Sequence, residues 1–303
     1  MKHFSVKPML VLSLLISLFS FNACQKDGLE MADTGVQSST NVHAGDRAPS
    51  MYGITVYSPG KPSRLIELDV ASGVVLNNIP VFAINDFGQQ IALNDLKGVC
   101  FVNADVYITT GSSNTAAFNN SLFKVNTATG QADIVSTSNI GIVSDIDYDA
   151  VTDRIYGLLN NTNTLVRISN AFTTYTNVGA INNLGAGFVS KGLTMVRAGS
   201  TGGGGDRVVV AASSNAGAQL YEVPGNAGFA TLLTNVNPAN EMAKGHCGIG
   251  YQISTAAMLI NRTGSVPVAG LNTFLWNNAV PAQSNSTLWS SGFNYEDLTS
   301  VSQ

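Results

Sequence analysis

From position 51 onward the chain is a succession of short apolar runs broken by turn residues. One four-residue pattern recurs in it: Gly or Asp, an aliphatic residue, a smaller residue, then usually a bulky one. The pattern stands at Gly98-Val99-Cys100-Phe101, Asp145-Ile146-Asp147-Tyr148, Gly192-Leu193-Thr194-Met195, Gly248-Ile249-Gly250-Tyr251 and Asp297-Leu298-Thr299-Ser300, at steps of 47, 47, 56 and 49 residues. A second run follows each of the first four: Val106-Tyr107-Ile108, Ile155-Tyr156-Gly157-Leu158, Val208-Val209-Val210 and Met258-Leu259-Ile260. A third run comes at Leu122–Val125, Leu165–Ile168, Leu220–Val223 and Phe274–Asn277, and a fourth at Ile134-Val135, Tyr175-Thr176, Leu232-Leu233 and Leu288-Trp289. Runs of this length, bounded by Asn, Gly and Thr, predict strands, four to each unit.

Four short strands repeating at about 50 residues are the signature of a β-propeller. The last unit holds only its first strand, around Asp297, before the chain stops. The complementary three lie at the start, at Met51-Tyr52-Gly53-Ile54, Leu65–Leu68 and Val74–Leu76. The predicted fold is therefore all-β, a five-bladed propeller over residues 51–303 in which the N- and C-terminal strands share one closing blade. Such a closure removes the open edges that invite aggregation. Six or seven blades would need strands hidden in residues 80–93 or 238–244, which are short. An irregular β-sandwich is the alternative architecture, but it needs no fixed step.

The segment Leu122–Gly130 and the run Asp145-Ile146-Asp147-Tyr148 carry a resemblance. They are similar to the Leu-Tyr-x-Ile-Asp-x-x-Thr-Gly and Asp-Ile-x-Tyr-Asp-x-x-Thr elements of repeat proteins that form β-propellers, common among secreted and lipid-anchored bacterial proteins. The resemblance covers residues 51–303 and is strongest from Ser121 to Ser169.

The N-terminus predicts an address. Lys2 and Lys7 precede a run from Met9 to Phe21 broken only by Ser13, Ser17 and Ser20. That run is shorter than the roughly 20 residues of a spanning helix and suits a signal-peptide core. It ends in Phe21-Asn22-Ala23-Cys24, which resembles a bacterial lipobox, although Phe21 and Asn22 depart from the strict pattern. The resemblance implies a signal peptide over 1–23 and acylation, as by palmitate, at Cys24. Gln25-Lys26-Asp27 after the cysteine resembles the export tag of Bacteroidota lipoproteins on the outer face of the outer membrane. Residues 24–50 hold few large apolar side chains and read as a disordered tether.

Composition narrows the function. The chain has 303 residues, 45% hydrophobic but 11% charged, with 30 Gly, 30 Asn and a pI near 5.3. Poverty in Lys and Glu disfavours long helices, and Asn and Gly favour turns. Without Lys2 and Lys7, 13 basic residues face 19 acidic ones, a net charge of −6. That charge argues against nucleic acid as a partner and leaves membrane attachment to the acyl chains.

Candidate chemistry is sparse. If the first strands line the channel, Cys100, Asp147, Thr194, Gly250 and Thr299 face it or a blade interface, and Asp145 and Asp297 stand beside them. Asp145, Asp147 and Asp149 form an Asp-x-Asp-x-Asp run, but a calcium loop needs Gly and Glu where the chain has Ala150 and Tyr156. Otherwise Asp145 bonds a neighbouring backbone and Asp149 opens a turn. Cys100 and Cys247 lie on non-adjacent blades and are expected as free thiols. His246 is the one histidine of the predicted domain, so a three-histidine metal site is excluded there. No Gly-x-Ser-x-Gly elbow accompanies it, and Gly202–Gly205 lacks the Lys-Ser or Lys-Thr of a phosphate loop. No cofactor or metal is expected.

The best binding hint is aromatic. The third-strand position of Glu67, Lys124, Arg167 and Glu222 is Trp276 in the fifth unit, which suggests an exposed indole, and Trp289, Phe293 and Tyr295 follow. Trp276, Trp289 and Tyr295 are thus candidate ligand contacts, since flat aromatic faces stack on sugars and anchor proteins. The expectation is a non-enzymatic surface module for a glycan or an envelope protein. The alternatives are a glycan hydrolase or lyase using Asp145, Asp147, Glu296 and Asp297, and a structural subunit of an outer-membrane assembly.

Overall fold

The computed structural model describes residues 50–69, 72–136, 143–159, 162–169, 172, 175–196, 207–214, 217–236, 249–252, 257–262, 270–277, 280–283, 293 and 295–300, with the side chains of 236, of 251–283 and of 300 outside that description. All of these belong to the compact unit Arg47–Gln303. The signal segment, Cys24 and the tether up to residue 49 lie outside the described residues, as do His246, Cys247, Trp289 and the four consecutive glycines.

The described strands gather into five sheets. The first runs β23-β1-β2-β3, with β1 (Ser50–Thr55), β2 (Arg64–Asp69), β3 (Val75–Pro80) and the last strand β23 (Tyr295–Ser300). The second runs β5-β4-β9-β8-β7-β6, with β4 (Phe82–Ile84), β5 (Gln90–Ala92), β6 (Leu96–Val102), β7 (Asp105–Thr110), β8 (Leu122–Val125) and β9 (Gln131–Ser136). The third comprises β10 (Val143–Asp149), β11 (Arg154–Leu159), β12 (Thr164–Ile168), β13 (Tyr175–Asn182) and the two-residue β17 (Gly228–Phe229). The fourth holds β14 (Val189–Val196), β15 (Arg207–Ser214), β16 (Gly217–Val223) and β18 (Thr231–Val236). The fifth holds β19 (Ile249–Gln252), β20 (Ala257–Arg262), β21 (Gly270–Asn277) and β22 (Val280–Gln283).

The first strand of each unit is innermost. Strand β10 is buried throughout, whereas the fourth strands β3, β9 and β13 are largely half-buried or exposed. Inner strands touch in the order β23, β6, β10, β14, β19 and back to β23, which makes the arrangement a β-propeller. As the terminal echo predicts, β23 pairs antiparallel with β1, Gly53 opposite Leu298.

Apolar side chains fill the spaces between sheets. One cluster joins Tyr52, Ile54 and Leu65 of the first sheet to Val99, Ile108 and Phe123 of the second. Another joins Cys100, Tyr107 and Leu122 to Ile146, Ile155 and Val166 of the third, and a third joins Leu158 and Leu165 to Leu193, Val210 and Tyr221. These clusters tie the first sheet to the second, the second to the third and the third to the fourth.

Two features differ from the sequence expectation. Residues 80–93 do form strands, but β4 and β5 extend the second sheet by parallel pairing of β4 with β9. Strand β17, sent out between β16 and β18, pairs in parallel with β13 in the same way. These short pieces cover outer edges that would otherwise offer unpaired amides. In the fifth sheet the fourth strand is Val280–Gln283, earlier in the chain than Leu288-Trp289, which lies outside the described residues.

The asparagine content finds its place in turns. Asn103, Asn120, Asn163 and Asn183 adopt positive φ, which Asn tolerates better than most residues. The Asn126 side chain accepts the Ala128 N–H at 2.9 Å, closing the turn between β8 and β9.

Inner strands approach so closely that side chains become obstacles. A Cβ on Gly98 would sit 2.8 Å from the Ile146 backbone nitrogen and 2.9 Å from Thr109 Oγ1. Because the first obstacle is backbone, Gly98→Ala is expected to destabilise the domain by about 1–3 kcal/mol in urea unfolding. An unchanged midpoint would mean that β6 and β10 do not pack at this distance.

Candidate functional site

The inner strand of each sheet turns one edge toward the axis, where its N–H groups need acceptors. Two aspartates at the same repeat position provide them. Leu193 N–H of β14 donates to Asp145 Oδ2 at 2.6 Å, and Val99 N–H of β6 donates to Asp297 Oδ2 at 2.6 Å. In each case the aspartate reaches the residue after the glycine that occupies its own position in the next unit, Gly192 or Gly98. Alternate strand residues share a face, so Asp147 repeats the contact one step on. Its Oδ2 accepts the Met195 N–H at 2.7 Å and the Thr194 hydroxyl at 3.0 Å.

Asp145, Asp147, Asp297 and Cys100 are thus brought together, all buried. Burial pushes the Asp145 and Asp297 carboxyls well above the ordinary carboxylate range, with their mutual proximity adding to the effect at Asp145. Burial likewise pushes the Cys100 thiol up, reinforced by Asp147, Asp297 and Asp145. Among the described residues no group of three His, Cys, Asp or Glu side chains is arranged to hold a metal ion. Asp149 closes the turn after β10, its Oδ1 accepting the Val151 N–H at 3.0 Å.

A second polar cluster escaped the sequence reading. Lys97 Nζ lies 2.9 Å from Asp95 Oδ1 and 3.2 Å from Glu296 Oε1, joining β6 to β23. Burial opposes the Lys97 charge, but the Glu296 and Asp95 carboxylates outweigh it and hold its pKa above the ordinary value. The signal was present in the repeat: Lys97 precedes Gly98 as Glu296 precedes Asp297, so opposite charges occupy one register on adjacent inner strands.

The aromatic candidates separate. Tyr295 is 0% exposed, its ring packed so near Gly53 that a Cβ there would lie 2.5 Å from Tyr295 Cδ1. It is a core residue of β23 rather than a ligand contact. Trp276 pairs with Pro281 in β21, as Glu67 pairs with Asn77, Lys124 with Asp133 and Arg167 with Thr176, so the shared register is present in the backbone. The wetness of that register varies, since Lys124 is exposed beside Asp105 at 2.7 Å whereas Glu67 is buried. The Trp276 side chain and Trp289 lie outside the described residues.

Removing a buried acceptor strands its donors. Asp147→Ala is expected to cost about 1–3 kcal/mol in chemical denaturation by orphaning the Met195 amide and the Thr194 hydroxyl. Thr194→Val, which leaves Met195 satisfied, should cost less; equal costs would contradict the bonding described.

No model of a known protein family matches the sequence, and no curated protein matches it. Among solved structures, the chain is similar to one in a nidogen/laminin complex, at 8% identity and TM-score 0.47, covering 84% of this chain and 98% of that one. It is also similar to a protein of unknown function from Bacteroides caccae, at 7% identity and TM-score 0.44, covering 85% of this chain and 100% of that one. TolB from Acinetobacter baumannii matches at 10% identity and TM-score 0.44, over 85% of this chain and 67% of its own.

Proposed function

We propose that this chain is a lipid-anchored surface protein whose five-bladed propeller binds a glycan or an envelope protein without catalysis. Acylated Cys24 holds it at the outer membrane, and residues beyond it act as the tether. The observation that carries the non-enzymatic part is the occupation of the channel carboxylates. Glycoside cleavage asks for one carboxylic acid free to protonate the leaving oxygen and a second carboxylate opposite it, with the sugar between them. Asp145, Asp147 and Asp297 are buried and committed to the Leu193, Met195 and Val99 amides. Glu296 is turned to Lys97. Substrate would have to displace bonds that join neighbouring inner strands.

Binding is then a task for the outward surface, and Trp276 of β21, together with Trp289, is the place proposed for it. Both indoles belong to residue types that dominate recognition surfaces.

Affinity electrophoresis of the full chain through a polysaccharide panel tests the ligand. Retardation without new reducing ends, lost in Trp276→Ala, is the expected result. New reducing ends would overturn the non-enzymatic reading, and no retardation on any polysaccharide would remove the glycan and leave the protein partner. The anchor is tested separately: Cys24→Ser should move the chain from the membrane fraction to the soluble fraction, and an unchanged distribution would contradict lipidation there.

A further inference from the structure

The most unusual chemistry described in the molecule is the meeting of two carboxyl groups at the axis. Asp145 comes from β10 and Asp297 from β23, strands on either side of β6 in the ring. Both side chains are 0% exposed. Each spends Oδ2 on a backbone amide of a neighbouring strand, and Asp297 Oδ1 also accepts the Leu298 N–H at 2.7 Å. Asp145 Oδ1 is buried with no hydrogen-bond partner, and Asp297 is the charged group that acts most strongly on Asp145.

Two ionised carboxylates buried side by side repel, and neither carries a hydrogen. A single proton removes the conflict, making one group a donor and leaving the other an acceptor. The other titratable groups facing the pair do not relieve it. Asp147, on the strand of Asp145, is a third acid, and Cys100 of β6 is a buried thiol whose ionisation would add negative charge. Strand β14 presents backbone amides and the Thr194 hydroxyl, and Gly250 of β19 packs on Met51 and Leu298. Lys97, the cation next along β6, is turned to Asp95 and Glu296.

We propose that Asp145 and Asp297 share one proton across the axis, so that the centre of the ring is closed by a carboxyl–carboxylate hydrogen bond and loosens when that proton departs to solvent as pH rises. The loss converts a pair of charge −1 into a pair of charge −2, and the repulsion acts on the two bonds that tie β10 to β14 and β23 to β6. The burial that raises both carboxyls supports this assignment.

The sign of the pH dependence follows. Unfolded aspartates release their protons near pH 3.9, while the folded pair keeps one to higher pH. The folded state therefore holds more protons than the unfolded state above that point. Stability from the pair is fully present below about pH 3.9 and is lost as pH rises through the pair's own deprotonation.

The experiment is calorimetric unfolding of the full chain at pH 7 in buffers of different ionisation enthalpy, with Tm followed from pH 5 to pH 9. Unfolding of the wild type is expected to release one proton, and its Tm should fall by several degrees toward pH 9. Asp145→Asn and Asp297→Asn each keep an acceptor for the strand amide and supply a permanent N–H to the remaining carboxylate. Either variant should release no proton from this site and should flatten the Tm profile. Absence of proton release from the wild type would overturn the proposal without recourse to a variant. Equal slopes in wild type and variants would overturn it too, as would calcium raising the wild-type Tm at pH 9 but not that of the variants, which would put a cation where we place the proton.

Discussion

The structure depends on satisfying the inner edges of its sheets. Every sheet in a propeller ends at the axis with a strand that has a neighbour on one side only, and where that strand is buried throughout, as β10 is, its free amides lack solvent. An orphaned buried amide costs about as much as the hydrogen bond it lacks. Here the cost is met by aspartates: Asp297 takes the amide of Val99, Asp145 that of Leu193, and Asp147 that of Met195. A short acidic side chain suits the task because it reaches one strand across and accepts strongly. The strands that donate these amides carry Gly98 and Gly192 in the position where the accepting strands carry aspartate, and at Gly98 the neighbouring strand stands so close that a Cβ would meet it.

The same seams are covered from outside. Strands β4 and β5 leave the first sheet to extend the second, and β17 leaves the fourth to extend the third. The first and second sheets, and the third and fourth, are therefore held both at the axis and at the rim. Between the second and third sheets the contact combines packing, with Gly98 close against Ile146 and the cluster of Cys100, Tyr107 and Ile155 behind it, with one buried bond in which the Thr109 hydroxyl donates to the Val143 carbonyl at 3.0 Å. Stability is shared between neighbours, so local losses at the axis act on two sheets at once.

Much of this was readable in the chain because the repeat is a physical unit. The Gly-or-Asp motif marks inner strands, the N-terminal echo of Met51-Tyr52-Gly53-Ile54 on Ile155-Tyr156-Gly157-Leu158 anticipates the pairing of β1 with β23, and charged third-strand positions share a register. What escaped was pairing between units. Nothing local in Phe82–Ile84 says that it will join β9 rather than β3, because that choice is made by the neighbouring sheet's edge. Tyr295 looked like a surface aromatic beside Trp289, but it sits at the start of an inner strand, where burial is set by the ring. The Lys97–Glu296 pair required comparing residues 199 apart in sequence, and the repeat register was the only route to it. Fold alone does not choose among ligands, which is why the functional argument rests on occupied carboxylates and on Trp276 rather than on architecture.

Amide hydrogen exchange at Val99, Leu193 and Met195 tests the central claim most directly. If the aspartates hold the inner strands together, these three amides exchange only when the whole domain opens, with the same apparent free energy as the buried amides paired within β10 and β11. Exchange as fast as that of turn residues such as Phe87 would contradict the account, because it would leave the axis of the ring without the bonds on which it depends.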